Sequence, residues 1–167
     1  LQGMNDLAGM MEPAMSPEDF AKELETIVHG TTVTTNATLT RRGAKSALLT
    51  TKGLRDALEM RRGIREEQYN NRYTNVVPLA ERYLRTGIGG RLDRNGKELE
   101  PLSKQDVLDA IELYKKEGVE AVSICFMNAF ANPEHEQAAA EIVRKELPDA
   151  YLTVSTELLP SIRFYER

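Results

Sequence analysis

The run from Val119 to Met127 is apolar at almost every position, and a helical pattern stands on either side of it. A strand of that kind is buried on both faces, which occurs in parallel sheets covered by helices. Ahead of it, Ser103-Lys104-Gln105-Asp106 reads as a helix cap, followed by the stripe Val107, Leu108, Ile111 and Tyr114 and a stop at Gly118. Behind it, Asn132-Pro133-Glu134 opens a second helix that turns Ala138, Ala139, Ile142, Val143 and Leu147 inward, and Tyr151 to Thr156 reads as a further strand. Helix–strand–helix–strand with short connections implies right-handed crossovers. The expected fold class is therefore α/β, a mixed or mostly parallel sheet flanked by helices, in one domain over residues 1–167.

The first hundred residues are less regular. Ser16-Pro17-Glu18-Asp19 predicts a helix start, with Phe20, Leu24, Ile27 and Val28 on one face and a stop at Gly30. Thr31 to Leu39 is rich in β-branched residues and predicts extended structure. Ala44 to Thr51 reads as a strand and Leu54 to Arg62 as a short helix. Residues 63–101 hold no long periodic segment and form a long surface excursion. Its expected ordered pieces are a strand around Arg82 to Thr86 and a hairpin turning at Asn95-Gly96. Long excursions in compact domains tend to be functional. Gly87-Ile88-Gly89-Gly90 does not precede a helix start, so it reads as a turn rather than a phosphate loop.

Charge narrows the partners. The 167 residues sum to −4, yet residues 1–40 carry −5, residues 41–100 carry +6 and residues 101–167 carry −5. An acidic total argues against a dedicated nucleic-acid binder. No apolar stretch reaches the roughly 20 residues of a membrane span, and the first residues lack a signal-peptide layout, so a cytoplasmic protein is expected. The single cysteine, Cys125, excludes an internal disulfide and reads as a structural thiol. His135, beside Glu134 and Glu136, reads as exposed, and no metal-ligand spacing is present.

Two clusters could carry chemistry. His29-Gly30-Thr31-Thr32-Val33-Thr34-Thr35-Asn36 gathers small donors around a glycine that lets a ligand approach the backbone. The same threonines are also plain strand formers. Arg41-Arg42 and Arg61-Arg62 are candidate anion clamps, because the guanidinium fork matches carboxylate or phosphate. They equally suit a solvated turn or a helix C-terminus. No general acid–base pair is visible, and no catalytic residue is assigned.

The segment His29-Gly30-Thr31-Thr32-Val33-Thr34-Thr35-Asn36-Ala37-Thr38-Leu39-Thr40-Arg41-Arg42-Gly43-Ala44 resembles a characteristic segment of the hydantoinase A/5-oxoprolinase family. Leu48-Leu49-Thr50-Thr51-Lys52-Gly53, Phe130-Ala131-Asn132-Pro133-Glu134-His135 and Ser161-Ile162-Arg163-Phe164-Tyr165-Glu166-Arg167 resemble it further along, in order and at the family's spacing. Arg62 to Arg72 is similar to the acetophenone and acetone carboxylase branch. The resemblance implies an actin-like, ribonuclease-H-related ATPase fold. It also implies an enzyme that uses ATP and Mg²⁺ to phosphorylate the carbonyl oxygen of a cyclic amide or a ketone enolate, before hydrolysis or carboxylation. The implied partners are a small carbonyl substrate, the rest of the subunit and a hydantoinase B-like subunit, with no nucleic acid and no membrane. His29, Gly30, Thr31, Thr32, Thr35, Asn36, Arg41, Arg42, Arg61 and Arg62 are the candidate substrate- or nucleotide-binding residues. The Asp-x-Gly-Gly-Thr-like phosphate loop with which family members begin is absent from these residues. The expectation is a fragment of the N-terminal region, inactive in isolation. The competing reading is a non-catalytic binding or assembly domain on the same scaffold.

Overall fold

A computed structural model describes residues 2–11, 13–26, 28 and 30–167. Its contacts divide the chain into two units, residues 1–40 and 41–167.

The first unit is helical: α1 (Gln2–Met10), α2 (Pro17–Glu23) and α3 (Val33–Thr40). The start of α2 follows its expected chemistry, with Ser16 Oγ accepting from the Asp19 amide at 3.1 Å and Pro17 in the first turn. Its end does not. The helix caps at Leu24 rather than reaching Gly30, because the β-branched Thr26 and Val28 extend it poorly, and Val28 lies exposed. Ile27 lies outside the described residues. The predicted strand over Thr31 to Leu39 is corrected to helix α3. Its threonines bond back to the preceding turn, Thr38 Oγ1 to Thr34 O at 2.9 Å and Thr40 Oγ1 to Asn36 O at 2.7 Å. These bonds satisfy the hydroxyls within the helix, and the strand preference of single threonines is too weak to exclude one.

The second unit holds β1 (Ser46–Thr51), α4 (Ala57–Met60), β2 (Ala80–Ile88), β3 (Arg91–Leu92), β4 (Glu98–Glu100), α5 (Lys104–Glu117), β5 (Ala121–Cys125), α6 (Glu134–Glu146), β6 (Tyr151–Val154) and α7 (Ser155–Leu158). Four strands form a sheet in the order β2-β1-β5-β6, and every pairing is parallel. The hairpin β3–β4 is antiparallel and turns at Asn95-Gly96, where Gly96 takes φ +83°. The parallel α/β architecture is the one expected.

From β1 the chain moves to one edge at β2, then returns past β1 to β5 and β6. Right-handed crossovers running in opposite directions lie on opposite faces of a sheet. Helices α5 and α6 therefore cover one face, and α4 with its flanking segment lies over the other. The first face holds the core, with Leu49, Leu84, Ile111, Tyr114, Ile124 and Val143 fully buried. Each such aliphatic side chain contributes about 1.5–3 kcal/mol by leaving water. The Tyr114 hydroxyl lies 3.1 Å from Leu48 O, 3.2 Å from Leu84 O and 3.1 Å from Thr86 Oγ1, and burial pushes its pKa up to about 12. Gly118 closes α5 in the left-handed conformation at φ +65°.

Strand β5 is shorter than the run that announced it and is not buried on both sides. Val122 and Ile124 face α5 and α6, whereas Ser123 is exposed on the other face. Strand β6 likewise ends at Val154, and Ser155 and Thr156 begin α7.

Candidate functional site

In a doubly wound sheet, ligands bind beyond the carboxyl ends of the strands, at the point where successive connections diverge. Here that point lies between β1 and β5. Thr50 and Thr51 close β1 opposite Cys125 and Ile88, and Lys52-Gly53 follows with Gly53 at φ +89°. Thr51 Oγ1 accepts from the Met127 amide at 2.9 Å and so locks the two strand ends together.

A fully buried carboxylate organises the neighbouring ends. Glu136 Oε1 accepts from the Phe126 amide at 2.7 Å and from Ser155 Oγ at 2.7 Å. Its Oε2 accepts from the Thr156 amide at 3.0 Å and from Thr156 Oγ1 at 2.8 Å. Four donors balance the cost of burying the charge. Sequence reasoning missed this residue. Its only signal is a carboxylate in the first turn of a helix that follows an apolar strand, and its partners lie up to twenty residues away.

His135 is buried at 6% exposure, which corrects the expectation that it is exposed. The first turn of α6 packs against the hairpin, and His135 Nε2 lies 2.7 Å from Glu98 Oε2. Gly90, at φ +133°, admits this ring: a Cβ there would stand 3.3 Å from His135 Nδ1 and 3.1 Å from Leu102 Cα. The neighbouring Gly89 amide donates to Asp106 Oδ2 at 2.8 Å and, with Ser103, holds that carboxyl below its ordinary pKa. Gly87 and Ile88 close β2 and only Gly89 and Gly90 link it to β3, which corrects the turn expected over all four residues.

On the face opposite α5 and α6, a cavity of about 420 Å³ lies over Ser46, Thr50, Ser123 and Thr153. Two ion pairs hold α4 beside it. Arg82 grips Asp56 through two bonds of 2.9 Å, and Arg85, buried at 3% exposure, meets Glu59 at 3.0 Å and donates to Ala80 O at 2.9 Å. Neither pair was foreseen, because carboxylate and arginine are twenty-six residues apart.

The candidate residues read from sequence fall in both units. His29 lies outside the described residues. In the first unit, Thr31, Thr32, Thr35 and Asn36 gather around the first turn of α3, exposed, with Gly30 just before it. Thr31 Oγ1 accepts from the Val33 amide at 3.4 Å, and Asn36 Nδ2 reaches Thr32 Oγ1 at 3.4 Å. In the second unit, Arg41 takes φ +53° and donates to Val77 O at 2.9 Å. Arg42 is exposed. Arg61, also at φ +53°, is paired with Glu66 and Tyr73. Arg61 and then Tyr73 draw the Glu66 pKa down to about 2. Arg62 meets Glu166 at 3.1 Å. The Cys125 thiol is half-buried, and burial pushes its pKa up against the opposing pull of Arg167. Among the described residues no cluster of three His, Cys, Asp or Glu side chains could hold a metal ion, and no helix is long and apolar enough to cross a membrane.

The chain is similar to known proteins along most of its length. The family described as hydantoinase/oxoprolinase N-terminal region matches residues 3–147. Caprolactamase subunit alpha of Pseudomonas jessenii is 37% identical over 154 residues, covering 91% of this chain and 22% of that protein. The acetophenone carboxylase gamma subunit of Aromatoleum aromaticum is 31% identical over 173 residues, covering 96% and 24%. The crystal structure of ATP-dependent caprolactamase from Pseudomonas jessenii superposes with a TM-score of 0.87 at 35% identity, over 98% of this chain and 24% of that one. The chain thus spans about a quarter of the length of the relatives it matches. By a match over most of its residues, it belongs to the hydantoinase/oxoprolinase N-terminal region family.

Proposed function

We propose that the chain is part of an ATP-dependent enzyme that phosphorylates a carbonyl oxygen, of a cyclic amide or a ketone enolate, before hydrolysis or carboxylation. The observation that carries this reading is the likeness to an ATP-dependent caprolactamase over nearly the whole chain. The donor set fits a phosphorylated ligand. Hydroxyls of Thr31, Thr32 and Thr35 and the Asn36 amide surround an exposed helix start, where backbone N–H groups favour an anion. ATP, when bound, would supply the phosphoryl group that activates the carbonyl oxygen. Thr31, Thr32, Thr35 and Asn36 are proposed to bind and orient phosphate or substrate oxygen, together with His29 and Gly30. Arg41, Arg42, Arg61 and Arg62 are proposed to supply positive charge, which in Arg61 and Arg62 first has to leave Glu66 and Glu166. Mg²⁺ is proposed as the counter-ion of the phosphates, a setting in which it needs only one or two protein carboxylates.

Because relatives are named as subunits, a hydantoinase B-like partner and the rest of the subunit belong to the same proposal. So does a cytoplasmic setting, and the 167-residue chain is proposed to be inactive alone. The test is ATP hydrolysis by the full-length protein with its partner subunit. Caprolactam, hydantoin and 5-oxoproline are compared with aryl ketones plus bicarbonate. Stimulation by one set supports the reading and assigns the branch. Stimulation by none favours a non-catalytic assembly domain.

A further inference from the structure

The parallel sheet of the second unit is covered unevenly. Its four strands all pair in parallel, and sheets of that kind occur with helices over both faces. One face has the fourteen residues of α5 and the thirteen of α6. The other has α4 and α7, of four residues each. Such a helix is about 6 Å long, whereas four strands extend about 14 Å side to side. The cavity of about 420 Å³ lies on this face, over the short side chains of Ser46, Ser123 and Thr153. Close-packed interiors leave few spaces of that size unfilled.

The border of the cavity is apolar where it meets solvent. Leu79, just before the edge strand β2, is 74% exposed, and Leu158, in α7 after the opposite edge strand β6, is 73% exposed. Val77 and Leu159, near them in sequence, are exposed as well. A single exposed leucine is ordinary, but leucines from both edges of one sheet around one cavity form an apolar patch that marks a contact surface. The interior strands β1 and β5 offer this face side chains rather than a free backbone edge, so a helix with an apolar stripe suits it better than an added strand. Length supplies the source of that helix. The chain covers 22% of caprolactamase subunit alpha and 24% of the acetophenone carboxylase gamma subunit, so most of each relative lies outside the shared region.

We propose that the open face is the seat of an amphipathic helix from the part of the subunit outside these residues, with its apolar stripe filling the cavity between Leu79 and Leu158. The seat rests on the longer subunit proposed above, but on neither ATP nor a substrate.

The test places the photo-cross-linker p-benzoylphenylalanine at Leu79 or at Leu158 of the full-length protein. Irradiation is expected to join both positions, within one molecule, to one segment outside residues 1–167, at sites on a single helical face. In the same protein, Leu79→Cys and Leu158→Cys are expected to react with iodoacetamide roughly tenfold more slowly than after unfolding in urea, because a covered site reacts through local opening. Three results would each overturn the proposal. Cross-links to residues 1–40 make the chain's own first helices the cover, and cross-links between molecules make it a second copy or another subunit. Cysteines that react as fast as in urea leave the face uncovered. A full-length protein without ATP hydrolysis counts against the proposed chemistry and leaves these contacts as they are.

Discussion

The two faces of the parallel sheet are built from different materials. Beneath α5 and α6, Ala47, Leu49, Val122, Ile124 and Val154 meet the aliphatic stripes of two long helices and are almost fully buried. On the opposite face, the alternate residues of the same strands are Ser46, Leu48, Thr50, Ser123 and Thr153. Over them lie the four-residue helices α4 and α7, and α4 is held by Asp56–Arg82 and Glu59–Arg85. One face supplies the burial that folds the unit. The other carries hydroxyls and ion pairs, which contribute less to stability and leave room for chemistry. The carboxyl edge, where Glu136 ties β5 and β6 to α6, joins the two.

That contrast is sharpest at the joint. Glu136→Ala strips the acceptor from four donors at once and is expected to destabilise the chain by on the order of 3–5 kcal/mol, since each unpaired buried group costs about 1–3 kcal/mol. Urea denaturation measures it, and a loss below 1 kcal/mol would remove Glu136 from its place as the tie.

Adjacent residues on β5 compare the faces directly. Ile124→Ala on the packed face is expected to cost about 2–5 kcal/mol through lost burial and a residual cavity. Ser123→Ala, one residue away on the open face, is expected to stay within about 0.5 kcal/mol. Equal costs would show that the open face is as tightly packed as the other. Glu59→Gln, which leaves the buried Arg85 with a weaker partner, is expected to fall between them at about 1 kcal/mol. Loosening of α4, read by hydrogen exchange, should accompany it.

How far each region was legible in the sequence follows from the range of its interactions. Helix α5 announces both ends, at Ser103 and Gly118, and its stripe at Val107, Ile111 and Tyr114, because caps and helical period are local. The parallel sheet follows from the same period, since two helices that each bury one stripe need a common surface. Helix α3 was misread for the opposite reason. Threonine's average preference is for strands, and the hydroxyl bonds from Thr38 and Thr40 to the preceding turn do not register in a residue average. The burial of His135 was hidden too, because its partner Glu98 lies in a hairpin thirty-seven residues earlier. The candidate site divides along the same line. The threonine cluster is contiguous and was visible. Glu136, Arg82 and Arg85 gain their roles from partners brought together only by the crossovers. The basic stretch over residues 41–100 looked like one anion-binding surface, yet Arg61, Arg82 and Arg85 are engaged by carboxylates from that same stretch.

The smallest expected effect concerns the loop that follows α4 on the open face. Arg61 and Tyr73 hold the Glu66 carboxyl at about 2, against an ordinary value of 4.5. A carboxyl whose folded pKa is depressed stabilises the fold above its unfolded value, and that contribution is lost as the pH falls through the folded one. The Glu66 contribution is therefore complete above about pH 4.5 and declines between there and pH 2. Because the pair is exposed, solvent screening keeps the effect small and local. Relative to the intrinsic amide rate at each pH, hydrogen–deuterium exchange of residues 61–73 is expected to quicken across that window in the natural chain. In Glu66→Gln it is expected to be quick already at pH 6 and to change little on acidification. Exchange in β5, beneath α5 and α6, is expected to show neither change. An acid response shared equally by both places would mean that the loop and the packed face unfold as one unit, and that the two sides of the sheet are not energetically distinct.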